Sequence, residues 1–409
     1  MDYTVLTRAV GQDAALRRRQ VLQPVGGKND KIFPPTYPEE RRGQGPRHVF
    51  ERRRLNGREA WCVLVDSVQS QANRLEEALL TALREGIITL PYVAVDFRDT
   101  GLAGITEITS LDAPHRVYDA ILRDSSLNDQ PFMKSQLGIR LAEAKPSDAT
   151  PLLETSPTAL LFGAWHSTGE GGGLGAKFPR CLVSEIIAVD VPVEDGPTDP
   201  RSGEVEVRTS GRRTGSRIDP LGVLRRVEVF KGPDGWDVVK ERAGKGAKQV
   251  RPSEINHGNI APTVQPLGIT CDYIEHIAVL SFAGLRRLGF GGGEKDAAGR
   301  ALLAALGIVA LAEQDARGYA LRSRCDLVCD DNAPFELVHP DGRTDTVEVD
   351  RKAARALYAS AFEAAGKAGF KFPAQPIRLT PQDKLVEIVR RSQKLALEGE
   401  GGESDEGDK

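Results

Sequence analysis

A chain of 409 residues with 40% hydrophobic content and a formal net charge of −3 can bury a large core, which makes it globular, with two domains or one domain carrying large insertions. Its longest apolar run, ALLAALGIVALA at 301–312, is too short to span a bilayer and no basic segment leads into an apolar one at the start, so a soluble cytoplasmic protein with no membrane partner is expected. Five scattered cysteines read as reduced thiols; Cys325 and Cys329 are four apart, but nothing completes a tetrahedral zinc set.

Residues 1–58 include the Pro- and Gly-rich VLQPVGGKNDKIFPPTYPEERRGQGPR and read as an irregular, arginine-rich arm. AWCVLVDS then gives a buried strand, and SQANRLEEALLTALREG a helix with Ala72, Leu75, Leu79, Ala82 and Leu83 on one face and Gly86 at its end. YVAVDF (92–97) reads as a strand and PHRVYDAILRD (114–124) as a helix opening on Pro114. A polar connecting insertion, 124–157, leads to TALLFGAW (158–165), read as a strand, then to the Gly loop HSTGEGGGLGAKF and the strand LVSEIIAVDVPV (182–193). Residues 194–252 are dense in Gly and Arg and poor in apolar side chains, with a short strand at Val227–Phe230: a basic inserted lobe. The core, 59–193 and 253–395, resumes with GITCDYIEHIAVLSFAGLRRLGF, strand-like at its centre. A second Gly loop and a long Ala/Leu helix follow, then a strand at 319–329 and a helix at 349–369. Residues 396–409 form an acidic, Gly-rich tail that is expected to be disordered. Strands and helices alternate, so the class is mixed, α/β or α+β.

Positive charge concentrates in two places, RRRQ with ERRRLNGR and the stretch from Arg201 to Arg251; arginine suits bidentate contact with phosphate. The two Gly loops, 169–178 and 289–299, match neither a Walker A loop nor a dinucleotide fingerprint, leaving a flexible linker or a loop that follows a nucleic-acid backbone. Asp119, Asp124, Glu185 and Glu254 with His115, His166 and His257 are candidates for a metal nuclease site, yet no H-E-x-x-H, D-x-D or G-x-S-x-G element supports one. SRIDP (216–220) and RPSEINHGNIAP (251–262) are too polar and too particular for plain connectors. One more stretch poses a question: a strand buried on both faces opens directly into Gln69, Ser70, Asn73 and Arg74.

Asp66-Ser67-Val68-Gln69-Ser70-Gln71-Ala72-Asn73-Arg74-Leu75-Glu76 resembles a motif of the backbone subunit of type I-U, or type I-G, CRISPR effector complexes. His115, Arg116, Asp119, Arg123, Asp124 and Ser125 match a second motif of that family. Phe162-Gly163-Ala164-Trp165-His166-Ser167, Ser216-Arg217-Ile218-Asp219-Pro220, Ser253 to Ile260 and Leu321-Arg322-Ser323 match others, so that the resemblance spans roughly residues 55 to 330. It implies a non-enzymatic member of the RAMP superfamily, the "Cas seven" group, with an α+β, RRM-like (ferredoxin-like) core and inserted thumb and finger lobes. Its implied partners are the CRISPR guide RNA, target DNA read through that guide, other copies of itself, other Cascade subunits and a recruited helicase-nuclease; no cofactor or metal is implied. The RNA-contacting residues on this reading are Gln69, Ser70, Asn73, Arg74, His115, Arg116, Arg123, His166, Ser167, Lys177, Arg180, Arg217, Asn256, His257, Asn259, Lys295 and Arg322. Ser70 or Asn73 would cap the helix and Arg74 would reach guide phosphate from its first turns. Two alternatives remain: a backbone subunit that also cleaves target RNA through Asp195, Asp199 or Asp219, and an unrelated metal-dependent hydrolase.

Overall fold

The computed structural model describes residues 1–38, 47–55, 57–166, 177–198, 203, 205–233 and 235–399. Two compact units divide the chain: Met1–Asp99, Ile105–Ser210 and Gly268–Gln382 form the larger, and Thr100–Gly104, Gly211–Leu267 and Asp383–Lys409 the smaller. No helix among the described residues is long and apolar enough to cross a membrane.

The main sheet of the larger unit is organised around a strand that composition conceals. β1, Ala15–Pro24 (ALRRRQVLQP), buries Leu16, Arg18, Gln20 and Leu22 and turns Arg17, Arg19 and Val21 outward. The stretch expected to be an irregular arm therefore supplies a central strand, preceded by helix α1, Tyr3–Gln12. Its period of two is hidden because two of the inward positions are polar. β2 (Phe50–Leu55) and β3 (Arg58–Asp66) make a hairpin; α2 spans Val68–Arg84. β4 (Leu182–Val189), β5 (Tyr273–Ser281), α3 (Gly293–Arg317), β6 (Tyr319–Arg322) and β7 (Cys325–Cys329) follow, then β8 (Phe335–Val338), β9 (Thr344–Val347) and α4 (Arg351–Lys367). Among the described residues the sheet order is β6-β7-β1-β5-β4-β3-β2, with β8 and β9 beside the start of β1 and every pairing antiparallel.

One edge of β1 changes partner midway: Leu22–Pro24 pair with β7 and Ala15–Arg17 with β8. Between them the Gln20 amide stands in for a strand, donating to the Asp331 carbonyl and accepting the Ala333 N–H at 2.9 Å. Both α2 and α3 lie on the face carrying Leu182, Ser184 and Leu280: Gly307 of α3 leaves leucine methyls of Leu182 and Leu280 3.5 Å from where a Cβ would stand, and Gln71 of α2 bonds Ser184. α3 is apolar all round and correspondingly buried, from Ala301 through Leu311. Each fully buried leucine there contributes roughly 1.5–3 kcal/mol.

Several expected elements come out differently. YVAVDF does form a strand, Val93–Asp96, but in a second, five-stranded sheet where it pairs in parallel with Ile377–Pro381. The 114–124 helix is broken: Arg116 has φ +55° and Asp119 caps a separate short helix, Ala120–Arg123. TALLFGAW is mostly helix, Pro157–Phe162, because Pro157 starts a turn that Gly163 (φ +85°) stops. The polar 124–157 segment contains helices at Gln136–Glu143 and Thr150–Thr155. Residues 319–329 are a hairpin rather than one strand.

In the smaller unit, Arg213–Arg217 pairs with Ile260–Gln265, and Gly235–Asp237, Val229–Gly232 and Lys248–Val250 make a three-stranded sheet. Its interior is small: Val229, Ala243 and Ala247, with Gly232 so close to the Ala243 carbonyl that a Cβ would sit 2.2 Å from it. Its central segment, 211–267, overlaps the basic lobe expected at 194–252; Val193–Thr198 and Val205–Thr209 instead pair within the larger unit. The expected acidic tail starts inside a helix, Asp383–Gly399, and 400–409 lie outside the described residues.

Candidate nucleic-acid interface

Of the polar cluster after β3, Arg74 is turned inward, onto Asp66, together with Gln71. This carboxylate is 1% exposed and accepts from Gln71 Nε2 at 2.7 Å, Arg74 Nε at 2.9 Å and Arg322 Nη2 at 3.2 Å. Arg74 also donates to the Leu321 carbonyl at 2.7 Å, and Arg322 to the Val65 carbonyl at 2.8 Å. The two arginines from separate motifs thus clamp the end of β3 to β6. Ser67, not Ser70 or Asn73, caps α2, its Oγ accepting the Ser70 N–H at 3.3 Å. Gln69 and Asn73 are the members of the cluster that face solvent; Ser70 is half-buried.

From Gln71 a buried polar chain runs through the core. Its Oε1 accepts from Ser184 Oγ and Gln314 Nε2, both at 3.2 Å; Ser184 meets His276 Nε2 at 2.5 Å; His276 Nδ1 meets Tyr319 OH at 3.1 Å. Tyr319 donates to Asp315, which pairs with Arg18. Burial drives His276 down to about 3, Arg18 adding to the effect, so the ring is neutral at ordinary pH. Arg18 belongs to the RRRQ run noted for its charge and Gln71 to a motif; for the others the signal is a polar letter at an inward strand position, as at Ser184 and His276, or at the end of an apolar helix, as at Gln314 and Asp315.

Arg116 is equally committed. It is 6% exposed, holds Glu76 by two bonds of 2.8 Å and donates to the Gly163 carbonyl at 2.9 Å. Burial pushes Glu76 up to about 7 even against the pull of Arg116. Around Gly163 gather four more of the expected contact residues. His166 is 7% exposed and stacks on Tyr118 at 4.9 Å; burial, then Arg123, lowers its pKa. Lys177 and Arg180 are exposed, and Arg123 forks onto its neighbour Asp124. Ser167 and the Gly loop through Ala176 lie outside the described residues. His115 is exposed, its N–H on Asp119 at 3.0 Å.

The second Gly loop ends in open space: a Cβ at Gly291, Gly292 or Gly293 would touch nothing. Its amides are partly used, since Asp296 Oδ1 accepts the N–H groups of Phe290 at 2.6 Å and Gly292 at 2.9 Å, and Lys295 sits 4.7 Å over the Phe370 ring. In the smaller unit Asp219 organises a turn, accepting from Gly258 N–H at 2.5 Å and Leu221 N–H at 3.0 Å, while its own N–H goes to Asn259 at 2.7 Å. Arg217 donates to the Gly258 carbonyl at 3.2 Å, Asn256 adopts φ +60°, and His257 packs edge-on against Trp236 at 5.4 Å. These four expected contacts are therefore neighbours.

The carboxylates weighed as catalytic are occupied. Asp119 caps a helix, Glu185 pairs with Arg53 at 2.8 Å, and Glu254 accepts the Arg251 N–H at 2.8 Å. Among the described residues no three His, Cys, Asp or Glu side chains converge to hold a metal ion. Asp195 lies in the Val193–Thr198 strand, and Asp199 is outside the described residues.

Residues 16–193, which run from β1 to just past β4, match the family described as CRISPR-associated protein GSU0053. No curated protein sequence matches the chain. Among solved structures, Csc2 of Thermofilum pendens is similar at 12% identity and a TM-score of 0.26, over 97% of this chain and 80% of that one.

Proposed function

From the match of residues 16–193 to the CRISPR-associated GSU0053 family, we propose that the chain is the guide-RNA-binding backbone subunit of a type I-G Cascade complex. Copies repeat along the spacer of the guide and present it to target DNA, and a separate helicase-nuclease cuts. The family match carries this reading. Two features of the molecule support it. The sheet order β7-β1-β5-β4, with α2 and α3 on one face, is the order that a ferredoxin-like, RRM-like core would need. In the 211–267 segment, Arg213, Arg225, Arg226, Arg242, Lys245 and Lys248 are exposed and, among the described residues, meet no carboxylate. Cations left without acids suit a phosphate backbone read independently of sequence.

The interior positions of the expected contact set hold the scaffold, so RNA is met by the exposed ones, Gln69, Asn73, His115, Lys177, Arg180, Asn256 and Asn259, with the half-buried Arg217 beside Asn259. Assembly is head to tail through a heterologous interface that does not close. The test is purification with and without a spacer-containing RNA. Expected are RNA of defined length bound to the protein and nuclease protection in regular steps, one per added copy. Protein that stays free of RNA and gives no protection ladder refutes the proposal.

A further inference from the structure

We propose that Trp165, Lys177 and Arg180 form a seat for one nucleotide of an unpaired strand, with its base stacked on the indole and its phosphate held by the two cations. This deepens the RNA-binding reading and rests on it. The seat is built on a minimal ladder in which Ala164 pairs with Phe178 and Trp165 with Lys177. Alternation sorts the side chains: Phe178 is 3% exposed and His166 is 7% exposed, whereas Trp165 is 54% exposed and Lys177 lies outward beside it. Lys177 Nζ stands 4.8 Å from the Trp165 ring centroid.

The anchoring beneath is rigid. His166 stacks on Tyr118, whose hydroxyl donates to the Leu141 carbonyl at 2.7 Å, and Arg116 holds the Gly163 carbonyl. Gly163, at φ +85°, lets the Arg180 side chain cross close by, its Cγ 3.0 Å from where a Cβ would stand. Arg180 meets no carboxylate among the described residues. Partial burial, then the like charge of Arg116, holds its pKa below the usual arginine value, the environment of a cation lacking an anion. A surface Lys–Trp contact is worth only about 0.5–1 kcal/mol, a small return for leaving half an indole in water. An aromatic plane beside cationic groups is how sequence-tolerant single-strand sites are made, and with Lys177 over one face of the indole the base takes the other.

The test uses the full chain carrying Trp61→Phe and Trp236→Phe, which leaves Trp165 as the emitter among the three tryptophans. An oligouridylate and a matched abasic strand are titrated in. The seat predicts quenching by the first and little by the second. Trp165→Ala in the otherwise native chain should weaken oligouridylate binding roughly ten- to hundredfold with the salt slope unchanged, and Trp165→Phe should restore most of it. Lys177→Gln and Arg180→Gln should each flatten the slope of log K against log salt by about 0.7. RNA bound with unchanged Trp165 emission, or with equal affinity after Trp165→Ala, overturns the seat and leaves RNA binding intact. Failure of the native chain to bind either strand overturns both.

Discussion

Two arginine-rich regions of this molecule use their charge in opposite ways. On the open face of the main sheet Arg19 forks onto Glu275 at 2.7 and 3.0 Å, Arg53 reaches Glu185 at 2.8 Å, Arg58 reaches Asp190 at 2.8 Å and Arg17 holds Glu336. In the 211–267 segment Asp219, Asp237 and Glu254 are taken by backbone N–H groups, and exposed cations are left over. Arginine-rich sequence therefore describes a charge-compensated lattice in one place and a surplus in the other. The acid that neutralises a cation, not the cation itself, decides which region can receive phosphate.

The contrast breaks first at Arg116. Arg116→Ala leaves Glu76 buried without a partner and should cost about 3–5 kcal/mol in urea unfolding. A variant as stable as the native chain would show that the buried pairs are not scaffold. The next effect concerns His276, whose pKa falls to about 3 on folding. Because its folded value lies below the unfolded one, the unfolded state takes up a proton that the folded state refuses between about pH 6.5 and 3, so stability rises with pH across that window. Each unit of acidification below 6.5 should remove up to about 1.4 kcal/mol through this residue. Denaturation midpoints from pH 7 to 5 check this, and His276→Asn should lose that part of the slope.

Smaller still is the helix cap: Ser67→Ala should cost about 1 kcal/mol, while Ser70→Ala and Asn73→Ala cost much less. Calorimetry on the three variants separates them, and equal losses would unseat Ser67. Last, Arg225→Glu with Arg226→Glu should shift stability by no more than about 0.5 kcal/mol. The same pair should weaken RNA binding and flatten the salt slope by about 1.4, at 0.7 per lost phosphate contact. Unfolding of that double variant would erase the distinction between the two regions.

Sequence pattern is enough for α2 and α4, for α3 through its long Ala/Leu run, and for β3, β4 and β5. It failed at β1, where Arg18 and Gln20 occupy inward positions because partners distant in the chain satisfy them: Asp315 for one, the 331–333 backbone for the other. The candidate site was legible as a set of motifs but not as a division of labour. Arg74 and Arg322 share Asp66, yet 256 residues separate Arg322 from that carboxylate, and no local pattern announces the pairing. The short apolar run at 158–162 reads as a strand by its length and composition, yet it is helix, because Pro157 starts a helical turn.

The arrangement of β1 has a consequence for synthesis on the ribosome. Its full-length neighbour is β5, and the Arg19–Glu275 pair spans 256 residues, so at 5–20 residues per second β1 waits about 13 to 50 s for a partner. Throughout that time it is an unpaired strand of ten residues, a template on which another chain could add. Three consecutive guanidinium groups repel a second copy of the same strand. The RRR run thus protects the nascent chain from self-association before it contributes to the finished sheet.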